Sequence, residues 1–174
     1  MSTNLHFIKS ATGDNVASVS VEDCFSDAYD VYMITITKWQ YVGTSNAGGV
    51  RFIDSSGSII SDSEYNHADL QLRNYAGFQE LKSEGGTSIL TGQDSSNQNK
   101  SYLADGFRAF VFNPQDSSRY TFISFQDSSA YDSSNILGYR GIGVHKNAEV
   151  ISGVSFFNRG TGNISATINV YGVQ

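Results

Sequence analysis

Cysteine and proline are almost absent from this chain, with one of each among 174 residues. A single cysteine, Cys24, excludes an intrachain disulfide, and many secreted domains of this size depend on such bridges. We therefore expect synthesis in a reducing cytoplasm. No basic cluster and no helix N-terminus accompanies Cys24 in the sequence, so we expect a small buried thiol that is not reactive.

Charged residues are also scarce. They make up 16% of the chain, and 17 acidic against 11 basic residues give a formal net charge of −6. Because phosphate backbones attract basic surfaces, nucleic acid is not an expected partner. No apolar run approaches the roughly 18–20 residues of a membrane-spanning helix, and the first residues lack the basic and apolar regions of a signal peptide. We expect neither membrane insertion nor Sec export.

Aromatic side chains and short β-like runs are abundant. The 11 Phe and 10 Tyr favour strands that pack sheet on sheet. Alternation places Tyr32, Ile34 and Ile36 on one face of a strand, and Pro114 ends a later one because it cannot donate to the ladder. The runs predict an all-β fold, an antiparallel two-sheet sandwich, jelly-roll-like, with little or no helix, as one domain over residues 1–174. The expected strands are Leu5–Lys9, Val16–Val21, Val31–Trp39, Gly49–Asp54, Thr87–Leu90, Phe107–Asn113, Arg119–Gln126, Ile136–Lys146, Val150–Phe157 and Asn163–Val173.

Three segments fit this pattern less well. Glu64–Phe78 follows neither the helical nor the strand period, so a short helix and an irregular surface excursion are both open interpretations. Gly92–Lys100 is rich in Gln, Asn and Ser and predicts an exposed loop. Thr12–Asn15 predicts a turn between the first two strands.

The triplet Asp-Ser-Ser recurs between the expected strands. An Asp or Ser side chain can accept a hydrogen bond from the backbone two residues further on, which closes a turn. Calcium is the alternative, since carboxylate oxygens suit a hard cation, but the triplets are scattered along the chain. We therefore predict turns and no metal. The triplets are Asp54–Ser56, Asp94–Ser96, Asp116–Ser118, Asp127–Ser129 and Asp132–Ser134.

No catalytic constellation stands out in the sequence. The histidines His6, His67 and His145 are isolated from one another, and none has a second ligand at zinc-type spacing. We expect His145 to be a hydrogen-bonded or exposed side chain at a strand end, with a pocket-lining role open for His67. Gly138–Gly143 superficially suggests a phosphate loop, but a strand follows it, so close strand packing or a bulge explains the glycines better. Paired carboxylates of glycosidase type are the remaining enzymatic alternative, and solvated carboxylates are more common. They would come from Asp23, Asp27, Glu64, Asp69 and Glu84. We predict no enzyme, no catalytic residue and no cofactor.

The C-terminal stretch carries a family resemblance. Ile151–Asn158, Gly162–Ile164 and Thr167–Val173 resemble the ending of a group of virion structural proteins of tailed bacteriophages, common in marine phages, whose last strand closes with aromatic-Gly-aliphatic. Ile142–Val144 and Val31–Trp39 lie where that group has corresponding strands. The resemblance implies a jelly-roll-like sandwich on the particle exterior, as a capsid decoration, a head fibre or a tail adhesin. It also implies partners among other virion proteins and copies of itself, often as a trimer, after assembly in the host cytoplasm.

A glycan-binding, lectin-like module is the alternative function. Sugars need an exposed aromatic platform beside hydrogen-bonding groups. The segments that suggest such a platform supply Trp39, Tyr41, Tyr65, Asn66 and His67 as candidate contacts with a host-surface glycan or another partner.

Overall fold

The structure is a computed structural model, and it describes residues 4–43, 46–94, 105–130 and 134–174. Within these ranges it contains twelve strands and no helix. The first six are β1 (Leu5–Val16), β2 (Ser18–Val21), β3 (Val31–Gly43), β4 (Asn46–Asp54), β5 (Tyr65–Arg73) and β6 (Gln79–Gly86). The others are β7 (Ile89–Asp94), β8 (Asp105–Phe112), β9 (Thr121–Ala130), β10 (Ile136–His145), β11 (Ile151–Asn158) and β12 (Gly162–Val173).

The strands form two antiparallel sheets. Eight strands follow the order β1-β12-β3-β8-β9-β10-β5-β6, and four follow the order β2-β11-β4-β7. Three nested pairs, β3 with β12, β4 with β11 and β5 with β10, alternate between the two sheets. Nested pairs that wrap from one sheet to the other are the pattern of a jelly roll. The expected fold class is therefore confirmed.

The core lies between the sheets and is strongly aromatic. Trp39, Phe107 and Phe156 are all buried, with ring centroids 5.5 to 5.8 Å apart. The edge-to-face contacts of Phe156 with the other two rings are favourable because a ring edge is positive and a ring face negative. Tyr32, Ile34 and Ile36 are buried on one face of β3, as the alternation predicts. Strands of this kind specify the core well because one face is wholly apolar.

Two expectations about local structure are wrong. Glu64–Phe78 contains no helix and is mainly the strand β5, which pairs with β10 along its whole length, and residues 74–78 alone form an exposed irregular connection. Thr12–Asn15 is not a turn, because β1 continues its pairing with β12 and absorbs the irregularity as a register shift between Gly13 and Val16. Asn15 adopts a positive φ of 52° there, a conformation that Asn tolerates better than most residues.

The Asp-Ser-Ser triplets divide into three groups. Asp54 and Asp116 each accept hydrogen bonds from the backbone N–H and the hydroxyl of the second serine, so these two turns are confirmed. Asp127–Ser129 lies inside β9 and is not a turn, since its residues pair with β10. The other two triplets include residues outside the described ranges, as does most of the loop expected at Gly92–Lys100, whose first residues belong to β7.

The remaining local expectations concern Cys24 and the glycines of β10. Cys24 is buried, and burial raises the pKa of its thiol to about 12, as expected for an unreactive side chain. A Cβ on Gly143 would lie 2.7 Å from the Ile89 side chain, so close packing accounts for that glycine. Within the part of the chain that the structure covers, no helix has the length and apolar character needed to cross a membrane.

Candidate binding face

The side of the eight-stranded sheet that faces away from the core, here called the outer face, carries two parallel rows of side chains. Strand register brings one residue from each of the eight strands into each row, at right angles to the strands. The polar row consists of Ser10, Asn169, Thr35, Arg108, Gln126, Arg140, Leu70 and Glu80. The apolar row consists of Phe7, Tyr171, Met33, Phe110, Ser124, Ile142, Ala68 and Lys82.

The two rows are two residues apart along seven of the strands, which is about 7 Å. In β1 they are three apart, because a register shift lies between Phe7 and Lys9. A ligand can therefore touch both rows at once. The apolar row is partly exposed, with Ile142 at 61% and Phe7 at 53% of full exposure. The Phe7 ring packs edge-to-face against Tyr171 at 5.7 Å, which holds the row together at that end of the sheet.

A cleft of about 600 Å³ lies over the two rows between β8 and β6. Five residues of each row line it, and a smaller hollow of about 250 Å³ adjoins it at Ala68, Lys82 and Ile142. The smaller hollow extends to Phe122, which is half exposed on the same face. The outer face thus presents one continuous concave surface with a polar side and an apolar side.

The outward-facing charges of the cleft are mostly positive. The two rows contain three cationic side chains, Arg108, Arg140 and Lys82, and one acidic side chain, Glu80. Within the described residues, none of the three cations forms an ion pair with a carboxylate. The Arg108 guanidinium lies 6.0 Å from the centre of the Phe110 ring, at the outer limit of a cation–π contact. A chain of net charge −6 therefore concentrates unpaired positive charge on this face.

The inner side of β5 carries polar groups into the sandwich. His67 and Asp69 are both buried, with 4.0 Å between Nε2 and Oδ2, and neither Asp69 oxygen has a hydrogen-bond partner among the described residues. Burial raises the pKa of the Asp69 carboxyl to about 6, although the Arg159 charge opposes the rise. Burial, and secondarily the Arg159 charge, lowers the pKa of His67 to about 4. Both groups are therefore neutral over a window of acidic pH.

The platform predicted for a glycan is not formed by the predicted residues. Trp39 and Tyr65 are buried in the core, and His67 faces inward, so these three side chains cannot present an exposed surface. Tyr41 and Asn66 are half buried on strands that are not neighbours in the sheet. The physical reason is that Trp39 and Tyr65 lie on the inward sides of β3 and β5, where their rings pack against Phe156 and Phe52 of the four-stranded sheet. His67 reaches the smaller hollow only from beneath.

One group of described residues has the composition of a metal site. Glu64, His145 and Glu149 offer donor atoms within 4.8 Å of one another. His145 is fully buried, and its Nε2 lies 3.0 Å from Glu64 Oε2 and 3.7 Å from Glu149 Oε1. A hydrogen bond from the imidazole to Glu64 accounts for the shorter distance, and Asn147 donates to Glu149. The expectation of a hydrogen-bonded His145 at a strand end is confirmed.

Sequence reasoning missed the residues that make up the outer face. Alternation along the strand already placed Arg108 and Phe110 on the side opposite to the core residues. Their neighbours Gln126 and Arg140 come from other strands, and only the register shows that the three polar side chains form a row. The available signal was the outward position of two arginines in a chain with few cations.

Comparisons with known proteins add no assignment. No protein-family model matches the chain, and no curated protein matches it. Among solved structures, an alginate lyase from Alteromonas sp. 272 has a TM-score of 0.28 at 9% identity, covering 90% of this chain and 76% of that chain. The VP2 subviral particle of infectious bursal disease virus has a TM-score of 0.18 at 10% identity, covering 98% of this chain and 42% of that chain. This chain thus spans about two fifths of the viral protein, and TM-scores this low support no argument about fold or function.

Proposed function

We propose that the chain is a non-enzymatic structural protein of a virion exterior, of the tailed-bacteriophage type, that acts by assembly and by attachment through its outer face. Capsid decoration, head fibre and tail-fibre adhesin are the forms this role takes. The resemblance of β11 and β12 to the ending of such proteins supports the proposal, as does the jelly-roll sandwich.

The exposed outer face is the observation that carries the proposal. Large contiguous apolar patches on a protein surface often mark interaction sites. Phe122 and Ile142 are exposed to 50% and 61% and share the smaller hollow with Lys82. Ile142 also lines the cleft together with Arg108 and Arg140. An exposed surface of this kind promotes aggregation, so we infer that a ligand or partner covers it when the protein functions.

Attachment fits the cleft better than turnover does. General acid–base catalysis needs titratable groups within reach of a substrate. Of the outward-facing residues that line the cleft, Glu80 is the one acidic side chain, and no histidine or cysteine is among them. Asp69 adjoins the cleft and His67 the smaller hollow, but their side chains point into the sandwich and are 0% and 3% exposed.

Self-assembly is the second half of the proposal. β1 is a long edge strand with one unpaired side, and its residues Lys9 to Gly13 run without a register shift, so this stretch offers a template for another chain. The opposite edge, β6, carries Glu80, Lys82 and Glu84, and charges of this kind discourage pairing. We therefore propose a homo-oligomer, such as a trimer, in which β1 contributes to the contact. Light scattering of the purified chain tests this, and a monomer at all concentrations would contradict it.

Mass spectrometry of purified particles is the direct experiment on virion incorporation. We expect the chain in fixed stoichiometry, and its absence from particles whose genome encodes it would overturn the proposal. Particles that carry Arg108→Glu and Arg140→Glu test the role of the face. We expect normal incorporation and weakened adsorption to host cells, while unchanged adsorption would show that the outer face is not the attachment surface.

A free glycan-binding module is the second candidate, and the cleft is the specific observation in its favour. Aromatic rings beside amide and guanidinium groups are the usual elements of a sugar site. A glycan array of the purified chain, with and without calcium, tests it. Binding to glycans by a chain that never enters particles would favour this candidate over the virion role.

A further inference from the structure

The two rows of the outer face form a linear track. Neighbouring strands lie about 4.8 Å apart, so eight strands give a track roughly 34 Å long. One side of the track is polar and the other is mainly apolar, along the whole width of the sheet. The strand spacing is close to the advance per sugar unit in a linear polysaccharide, and such a chain has polar edges and apolar ring faces.

The positive charges have a defined spacing on this track. Arg108 and Arg140 are two strands apart, about 9.6 Å, with Gln126 on the strand between them. A guanidinium is planar and donates two parallel hydrogen bonds, which matches a carboxylate better than any neutral group. Gln126 and the nearby Ser124 can hydrogen-bond to hydroxyl groups between two carboxylates.

Other polymers fit the outer face less well. Nucleic-acid binding depends on neutralising many phosphates, and the two rows together offer three cations, Arg108, Arg140 and Lys82. A peptide strand would seek an open sheet edge for its backbone hydrogen bonds, and the outer face offers side chains only. A carbohydrate with separated carboxylates and exposed ring faces matches both rows.

We propose that the outer face binds a linear carboxylated polysaccharide, laid across the strands with its carboxylates at Arg108 and Arg140 and its ring faces on Phe110 and the apolar row. The inference rests on the proposed function only in taking the outer face as the binding surface. It names the chemical class of what the attachment surface recognises.

Calorimetric titration of the purified full chain with oligogalacturonate is the test. The matched probe is the same oligomer with its carboxyl groups methyl-esterified, which keeps the rings and removes the charge. We expect binding of the acid form, at least tenfold weaker binding of the ester, and weakening of the acid complex with added salt. Equal binding of acid and ester, or no binding of either, would overturn the inference.

Variants locate the ligand on the protein. Arg108→Gln and Arg140→Gln should each weaken binding about tenfold, as expected for loss of one charge-assisted contact. Arg51→Gln is the matched control and should bind as wild type does, because Arg51 lies on the four-stranded sheet, over the Phe157 ring. All variants should keep the wild-type melting temperature to within a few degrees.

Two further probes separate charge from carbohydrate recognition. Polyglutamate and a single-stranded DNA oligomer of equal charge should bind at least tenfold more weakly than oligogalacturonate, and equal binding would show a general anion surface and overturn the inference. Failure with all saccharides, together with loss of host adsorption in the charge-reversed particles, would reject this inference and leave the proposed function standing.

Discussion

Replacing Asp69 by Asn should stabilise the protein at neutral pH and leave its stability near pH 4 almost unchanged. Burial raises the pKa of Asp69 from 3.8 to about 6, so the unfolded chain loses this proton at lower pH than the folded one. The stability that Asp69 contributes is therefore complete below pH 3.8 and is lost as pH rises through 6. At 1.36 kcal/mol per unit of pKa, the shift corresponds to about 3 kcal/mol.

His67 has the opposite dependence. Burial lowers its pKa from 6.5 to about 4, so its contribution is complete above pH 6.5 and is lost as pH falls through 4. Between pH 4 and 6, folding therefore releases a proton at His67 and takes one up at Asp69, and the two slopes cancel. Each single variant should expose the slope of the residue that remains. His67→Gln should gain about 3 kcal/mol over wild type as pH falls from 7 to 4.

Urea unfolding at constant ionic strength, at each pH from 4 to 7, measures these differences. The quantity to follow is the free energy of unfolding of each variant minus that of wild type. Asp62→Asn, at an exposed carboxyl group, controls for the substitution itself. Parallel curves for Asp69→Asn and wild type across this range would refute the reasoning, because they would show that the carboxyl is hydrated in the folded state.

Three further predictions concern the core. Gly143→Ala should destabilise the protein by about 1–3 kcal/mol in urea unfolding, because the new methyl group would overlap Ile89, while Gly77→Ala meets open space and should stay within about 0.5 kcal/mol of wild type. Tyr65→Phe should cost about 1–3 kcal/mol by the same measurement, since its hydroxyl hydrogen-bonds two backbone groups inside the core, and an unchanged stability would contradict this assignment. Cys24 should react with maleimide only after denaturant is added, and rapid labelling of the folded protein would show that the thiol is accessible.

The sequence predicted the strands whose inward face is apolar. In β8 the alternation of Phe107, Ala109 and Val111 with larger outward residues is clear, and the structure buries these three. β5 was not predicted as a strand because most of its inward positions are polar. His67, Asp69 and Gln71 point into the sandwich and Ala68, Leu70 and Leu72 point outward. The polar and apolar residues therefore alternate with period two, but in the opposite sense to that of a core strand.

The outer face could not be predicted because it depends on register across strands that are distant in sequence. Trp39 and Tyr65 suggested a platform by their chemistry, and the four-stranded sheet covers both. Arg108 and Arg140 were not singled out because a lone arginine on an outward strand position is ordinary. Their significance appears only when pairing through β9 brings them into one row.

Thiol protection at the outer face is the most direct test of the central claim that this face is the attachment surface. A cysteine introduced at Ser128 lies beside the polar row on β9. Because the native Cys24 is buried, the maleimide reacts with the introduced thiol. A cysteine at Ser56, in the turn after β4 of the other sheet, is the control. We expect adsorption of particles to host cells to slow maleimide labelling at position 128 and to leave position 56 unchanged. Equal labelling rates at position 128 before and after adsorption would contradict the account.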